Sequence, residues 1–576
     1  MEWHARPRNG LLRGLLFDVR SLFQAFLWSV AIIMKTRDGI QFDSVPRDPR
    51  PLIDHYFEVF TDFAGRARRC MERGEQEECA GYVQLAAQYA WFHPTGELAS
   101  HKLEALLSEI SKNLNDAEVP GPVRTQSSPK RILHVVTEMY KVGGHTRLIW
   151  RWIRADAQRS HSVVLTRQME GEVPGPLLSA VHDACGQVHY LDRSPGGILA
   201  RARALRRIAK DFDHVVIHAH PWDVVPLIAF LRAANLPPIT HMNKDDHVFF
   251  LGATTANQVA QMRQAGSKLC QDRRGIPASR CKLLPIPLDT SLTRGTRDEA
   301  KRALGISEET VVLFSVATAY KYATSAMHFA EVLLPVVQAH PNTLLLVIGP
   351  GDQGEWAKAR IRSGGRIRAL GKLSKVNLYY QAADVYLDSF PIASLTSSLE
   401  GGSYGTAVAS YWCHSPDAEV LSAEDPALTN VMFRGRSLEE YRGMVSRLVR
   451  DPQLRAEAGN LTRDRIALFH SGEGWLHFLE ELYANVPAGQ ITDSVLEVRR
   501  GITELDLELA RTYLVSGLSS DVRNVVSDHV GMFPLKARAE FWVNELRFAP
   551  RSIPTCLLSD GLKTRLRLLC SQLAAD

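Results

Sequence analysis

No two of the eight cysteines in this sequence stand at CxxC spacing, and a chain of 576 residues needs no disulfide framework to hold a small core. The cysteines therefore read as free thiols of a reducing compartment, and a structural zinc is disfavoured. No cluster of Lys and Arg is interleaved with aromatics, and the formal charge of +5 is spread over the whole chain. That argues against a dedicated nucleic-acid binder. Nor does any apolar run reach the roughly 20 residues that span a bilayer. The run Leu22–Met34 is 13 residues long, follows Arg13, Asp18 and Arg20, and precedes Lys35 and Arg37. No small-residue cleavage site follows it, so a signal peptide is not expected. It reads either as a helix buried on the body or as an interfacial helix that meets anionic lipid through residues 11–35. The expected location is cytoplasmic, with at most a peripheral contact at the inner membrane face.

What is present is ordinary globular material. Apolar residues make up 45% and charged residues 23%, so most of the chain can bury a core. Its length calls for about three or four domains. Residues 1–128 read as helical. Leu85, Tyr89 and Phe92 share one face, Leu103, Leu106, Leu107 and Ile110 another, and Pro94-Thr-Gly separates the two as in a helical hairpin. Residues 115–130 read as a linker. From Arg131 short β-branched runs alternate with helical stretches: Ile132–Val136, Val163–Leu165, Val188–Leu191, Val215–Ile217 and Ile239–Met242. The alternation restarts with Val311–Val316, Leu344–Gly349, Val385–Asp388 and Ala407–Tyr411. Alternating strand and helix units predict parallel sheets covered on both faces. Two such halves predict a pair of similar domains facing a cleft. Residues 488–576 read as helical again, with Leu505, Leu507, Leu509, Tyr513 and Leu514 as core.

In doubly wound domains ligands bind beyond the carboxyl ends of the strands, so the segments there carry the chemistry. After Val385–Asp388 a Pro-containing loop delivers Thr396, Ser397 and Ser398 to a helix start, where free N–H groups and the macrodipole favour a phosphate. Glu400 lies one turn in. As an acceptor-only carboxylate it suits paired ribose hydroxyls; a capping box built on Thr396 or Ser397 is the structural alternative. Lys321 follows the strand Val311–Val316, placed to stabilise the charge of a departing pyrophosphate. Gly349-Pro-Gly-Asp-Gln-Gly354 has the GxGxxG spacing but follows the second strand of its half, so it reads as a turn and not as a dinucleotide fingerprint. In the first half Gly143-Gly144 end the opening strand and permit close backbone approach. His218 and His220 end another strand, and His241, Asn243, Asp245, Asp246 and His247 follow the next. No third ligand is fixed by spacing, so acid–base work is favoured over a metal.

At these residues the chain resembles known enzymes. Val311–Gly351, with Tyr320-Lys321 inside it, is similar to the start of the second domain of protein O-GlcNAc transferases, and Thr396-Ser-Ser-Leu-Glu-Gly-Gly-Ser-Tyr-Gly-Thr406 is similar to that family's donor segment. Gly143-Gly144-His145 and His218-Ala-His220 resemble the opening loop and a sugar-reaching histidine of bacterial glycosyltransferases with two Rossmann-like domains, the GT-B arrangement. The resemblance covers about residues 130–485. It implies that Lys321, Thr396 and Ser397 hold a donor diphosphate, with Ser398 at the small-residue position beside them, Glu400 on the ribose, and Gly143 and Gly144 closing from the first domain. His220 and then Asp246 become the candidates for catalysis. Two departures stand out. Ile392 occupies the place where many bacterial relatives have the first of two glutamates, which tilts the expectation toward inversion. Leu395 replaces the histidine of the O-GlcNAc enzymes.

The resulting expectation is an α/β protein of GT-B type, with two parallel-sheet domains facing a cleft and helical extensions at both ends. The divisions are 1–128, 129–300 (acceptor side), 301–487 (nucleotide-sugar donor) and 488–576. Its activity would be metal-independent transfer of a sugar from a nucleotide-sugar donor, a UDP-sugar foremost, to a hydroxyl or amide of a protein, glycan or lipid-linked acceptor, with no further cofactor and no nucleic-acid partner. A nucleotide-sugar epimerase and a non-catalytic sugar-nucleotide scaffold are the alternatives.

Overall fold

A computed structural model describes residues 48–114, 129–487 apart from 142, 170–171, 234, 290–294, 324–326 and 413, then 490, 500–516, 522–546, 557–560 and 562. The apolar run Leu22–Met34 and most of the expected 115–130 linker lie outside these residues. Among the described residues no helix is long and apolar enough to cross a membrane.

Two sheets, parallel throughout, organise the chain. The first contains β1 (Arg131–Val136), β2 (Ser160–Leu165), β3 (Val188–Tyr190), β4 (His214–Ile217), β5 (Ile239–Asn243), β6 (Gln258–Gln261) and β7 (Cys281–Leu283), in the order β3-β2-β1-β4-β5-β6-β7. The second contains β8 (Val311–Val316), β9 (Thr343–Ile348), β10 (Ile367–Ala369), β11 (Val385–Leu387), β12 (Ala407–Tyr411) and β13 (Phe433–Gly435), in the order β10-β9-β8-β11-β12-β13. Every strand pairing recorded in the two sheets is parallel. Helices cover both faces, so the central strands are near-continuous apolar runs: in β1 all but Arg131 is buried, and β9 is buried throughout. The two doubly wound units face one cleft, which is the GT-B architecture.

Four strands carry no apolar run that the sequence reading registers. β6 is Gln-Val-Ala-Gln, and its glutamines are buried because their amides have fixed partners: Gln258 Nε2 donates to Thr240 Oγ1 and to the Leu482 carbonyl. β7, β10 and β13 are three-residue edge strands, each with a central basic residue (Lys282, Arg368, Arg434). Short charged edges suit a sheet margin, where a long apolar strand would invite further pairing.

The helix Gly472–Ala484 returns to the first domain although it follows the second in sequence. Trp475 Nε1 donates to the Pro285 carbonyl at 2.7 Å, and Arg159 of the first domain donates to Glu480 at 2.7 Å. Two further hydrogen bonds, from Leu288 N to the His470 carbonyl and between His470 Nδ1 and the Ile286 carbonyl, fix the chain there.

At the amino end the helical hairpin pairs different segments from those expected. Arg50–Glu72 packs on Gln76–Phe92, because only Arg73-Gly74-Glu75 separates them and Gly74 takes the left-handed conformation (φ +75) that such a tight reversal needs. His101–Lys112 packs on this hairpin and also on the first domain, where Glu104 accepts from the Gly252, Ala253 and Thr254 amides. The carboxyl-terminal helices join the same body. Leu505, Leu507, Leu509, Tyr513 and Leu514 are buried as expected. Phe533 sits so close to Gly81 that a Cβ there would lie 2.6 Å from its ring. Arg500 bonds Asp54, and Gln84 bonds His529. The two terminal regions thus pack on each other and on the first domain, and Leu505, Leu509 and Tyr513 also reach Ile392, Ala418, Val420 and Leu421 of the second.

Candidate functional site

The carboxyl ends of both sheets open onto an interdomain cleft of about 800 Å³. From the first domain Gly143, Gly144, Arg147, Lys244, Asp245, Asp246, His247 and Arg263 line it. From the second come Lys321, Gly349, Lys372 and the run Ile392–Ser397. Gly143, with φ +146, holds a backbone conformation reserved for glycine and starts the helix Gly144–Ala155. A Cβ on Gly144 would meet Thr396 Oγ1 at 3.4 Å. The glycine turn of one domain and the start of the helix Leu395–Ser403 of the other therefore approach each other across the cleft.

The helix Leu395–Ser403 begins at the cleft. Its cap residue is Ser394, which makes no side-chain bond to the first-turn amides. The capping box that Thr396 or Ser397 and Glu400 could form is absent. Leu395, Thr396 and Ser397 face the cleft, so the amino end of the helix dipole points into it. The preceding loop is anchored by Asp388, whose Oδ1 accepts from the Ser394 amide at 2.9 Å and Ser398 Oγ at 3.0 Å, while Oδ2 accepts from Ser410 Oγ at 3.2 Å. Burial pushes the Asp388 carboxyl up from its ordinary value against these bonds. Ser398 is accordingly turned into the domain and fully buried. Expected beside the donor, it holds the loop instead, because its position one residue further round the helix points away from the cleft.

Lys321 lies in a single turn of 3-10 helix, Ala319–Tyr322, just past β8. Its Nζ donates to the Ala393 carbonyl at 2.8 Å, just before the helix Leu395–Ser403. Burial draws the Lys321 ammonium down to about 8, with Asp388 acting the other way. An ammonium half-stripped of water thus lies next to an open helix amino end, and both carry positive potential toward the cleft.

The two catalytic candidates fare differently from expectation. His220 is not among the cleft-lining residues. Its ring packs 4.9 Å from Trp222 and 6.1 Å from Tyr140, and burial lowers it to about 3. Asp246 does line the cleft, yet both its oxygens are taken by Arg263, at 2.7 and 2.9 Å, and that guanidinium holds its carboxyl far below the usual range against the effect of burial. Arg263 also donates to the Val420 and Ser422 carbonyls of the second domain. Asp246 is thus a structural counter-ion at the domain junction and a poor base. Asp246→Ala, which strands the buried guanidinium, is expected to lower folding stability by about 3–5 kcal/mol, read from chemical denaturation. A change within about 0.5 kcal/mol would show that the pair contributes nothing.

Glu400 has partners that the sequence did not indicate. Its carboxylate is gripped by Arg147 and Arg151 of the helix Gly144–Ala155 and by the Tyr380 hydroxyl. Also unforeseen at the cleft were Arg147, Lys244 and Arg263. A signal existed only for the first, a cation one turn beyond the Gly143-Gly144 start. The residues Gly349–Gly354 form a turn between β9 and the helix Glu355–Arg362, as expected. A Cβ on Gly349 would lie 1.8 Å from the Ala317 carbonyl, so glycine is required for the two loops to pass. Among the described residues no three His, Cys, Asp or Glu side chains gather as a metal-holding group.

No protein-family model matches this chain, and no curated protein matches it. Solved structures resemble it at low identity. Anabaena HepE in complex with UDP and glucose is 14% identical, with 61% of this chain and 98% of that one covered and a TM-score of 0.47. A glycosyltransferase from Rickettsia africae is 11% identical over 62% and 98%, with a TM-score of 0.47. A mutant of the Thermobaculum terrenum O-GlcNAc transferase is 14% identical over 75% and 83%, with a TM-score of 0.45. At these values the likeness concerns the course of the chain, and what the cleft does follows from its own residues.

Proposed function

We propose that this chain transfers a glycosyl group from a nucleoside-diphosphate sugar, foremost a UDP-sugar, to a hydroxyl or amide of a protein, glycan or lipid-linked acceptor. One observation carries the reading: a partly desolvated lysine and the uncapped amino end of the helix Leu395–Ser403 converge on a single interdomain cleft. In the reaction the bond between the anomeric carbon and the diphosphate oxygen breaks, and negative charge grows on the departing phosphate. Lys321, the first-turn amides and the hydroxyls of Thr396 and Ser397 are aimed where that charge develops, which is where preorganised donors lower a barrier most. Positive charge supplied by the protein takes the part that a divalent cation plays elsewhere, and activity should survive chelation. The nucleoside half has an apolar wall in Ile348 and Leu373. Gly143 and Gly144 close the cleft from the other side and exclude water, which suppresses donor hydrolysis.

The test is calorimetric titration of the full chain with UDP, GDP and their sugars, and with NAD, followed by product analysis with and without acceptors. Binding of a nucleoside diphosphate together with acceptor-dependent product supports the proposal. Binding of NAD alone sinks it, and conversion of the donor without any acceptor would favour an epimerase.

A further inference from the structure

The resemblance places Glu400 on the donor ribose, but its carboxylate has no capacity left for a pair of hydroxyls. Arg147 Nη1 donates to Oε1 at 2.8 Å and to Oε2 at 3.0 Å. Arg151 Nη2 donates to Oε1 at 2.8 Å, and the Tyr380 hydroxyl donates to Oε2 at 3.2 Å. A carboxylate offers about four acceptor directions, and these contacts use them. Glu400 is also nearly buried and absent from the cleft wall, whereas the Arg147 side chain is 33% exposed and lines that wall with Gly143, Gly144, Lys321 and Thr396.

We propose that Arg147 is the first-domain cation for the donor diphosphate and that Glu400 is a positioning residue that fixes it. This rests on the glycosyl-transfer reading above and assigns the part of the site that reading leaves open. The two arginines are four residues apart on one helix, so both reach the same carboxylate. Held there, the guanidinium of Arg147 cannot swing away from the cleft, and its exposed part offers a charge-assisted hydrogen bond to a phosphate oxygen. Lys321 reaches the same cleft from the second domain. A diphosphate is then gripped from both sides, without a contact from Glu400 to ribose.

The experiment titrates the full chain with uridine, UMP, UDP and 2′-deoxy-UDP, using wild type, Arg147→Ala, Arg147→Lys and Glu400→Gln. Arg147→Ala should cut the preference for UDP over UMP by roughly tenfold or more, the worth of a charge-assisted bond, and leave uridine binding unchanged. Arg147→Lys should restore part of it. Glu400→Gln should weaken UDP in the same sense while keeping the wild-type ratio of UDP to 2′-deoxy-UDP. Loss of that ratio in Glu400→Gln would return Glu400 to the ribose and overturn the assignment. So would an unchanged UDP-over-UMP preference in Arg147→Ala. Should Arg147→Ala prove unfolded by circular dichroism, Arg147→Lys and Glu400→Gln carry the same decision. Failure of wild type to bind any nucleoside diphosphate is a separate result: it removes the glycosyl-transfer reading itself.

Discussion

Lys321→Ala is expected to reduce turnover by about 10²–10³-fold, the cost of removing one preorganised donor from a developing oxyanion, and to weaken UDP binding as well. The physical ground is the position of the ammonium between the Ala393 carbonyl and the cleft. A pH signature separates this role from a structural one. Burial lowers the Lys321 ammonium to about 8. Its charge is therefore present at neutral pH and lost as pH rises through 8. A bound diphosphate favours the charged form, so above that point binding must take up a proton, and affinity should fall by about tenfold per pH unit. Lys321→Arg keeps a guanidinium that stays charged and should flatten the alkaline limb. An alkaline limb that persists in Lys321→Ala would assign it to another group and remove Lys321 from the donor site. Because Lys321 also tethers the loop before the donor helix, the thermal midpoint of each variant must be measured alongside.

The central strands and both doubly wound units were legible because their apolar runs are long, β-branched and bounded by turns. β6 was not, because its buried glutamines look like surface residues until Thr240 and Leu482 are seen to satisfy them. The helix start at Leu395–Ser397 was legible, since a helix amino end after a strand is a local feature of sequence. Ser398 was misplaced because a difference of one residue in helical phase decides between the cleft and the interior. The partners of Glu400 were invisible for another reason: Arg147 and Arg151 lie some 250 positions away, on another domain. Asp246 illustrates the same limit. A carboxylate past a strand end reads as a base from sequence alone, and only the fold brings Arg263 against both its oxygens. Local periodicity thus reports elements and their ends, while pairings between domains need the packed structure.

Acid should unfold the first domain well before the second. His214, His218, His220 and His241 are lowered to about 3, in each case chiefly by burial, and His134 is lowered well below its usual value. Three imidazoles form a chain across neighbouring strands. His218 Nε2 lies 3.0 Å from His134 Nδ1, His134 Nε2 lies 2.9 Å from His161 Nδ1, and His161 Nε2 reaches the Asp156 carbonyl at 3.1 Å. Each nitrogen pair needs one N–H and one lone pair, so a further proton on His134, whose two nitrogens both serve the chain, breaks it. Burial thus holds His134, His214, His218, His220 and His241 neutral in the folded state, while the unfolded chain protonates them below about 6.5. Stability is complete above that pH and falls as pH drops from about 6.5 toward 3, because there the unfolded state binds more protons. Each such histidine costs roughly 1.4 kcal/mol per pH unit, on the order of 5 kcal/mol for four, against a total stability of about 5–15 kcal/mol. Trp152 stacks edge-on against His134 and His218 at 5.4 Å. Its fluorescence should therefore report a cooperative loss of the first domain within about two pH units below 6.5. His241→Leu removes one titrating ring that lies against Phe250 and should shallow the transition by about one proton. A thermal midpoint unchanged between pH 7 and 5 would mean that these imidazoles are already charged, or already wet, in the folded protein.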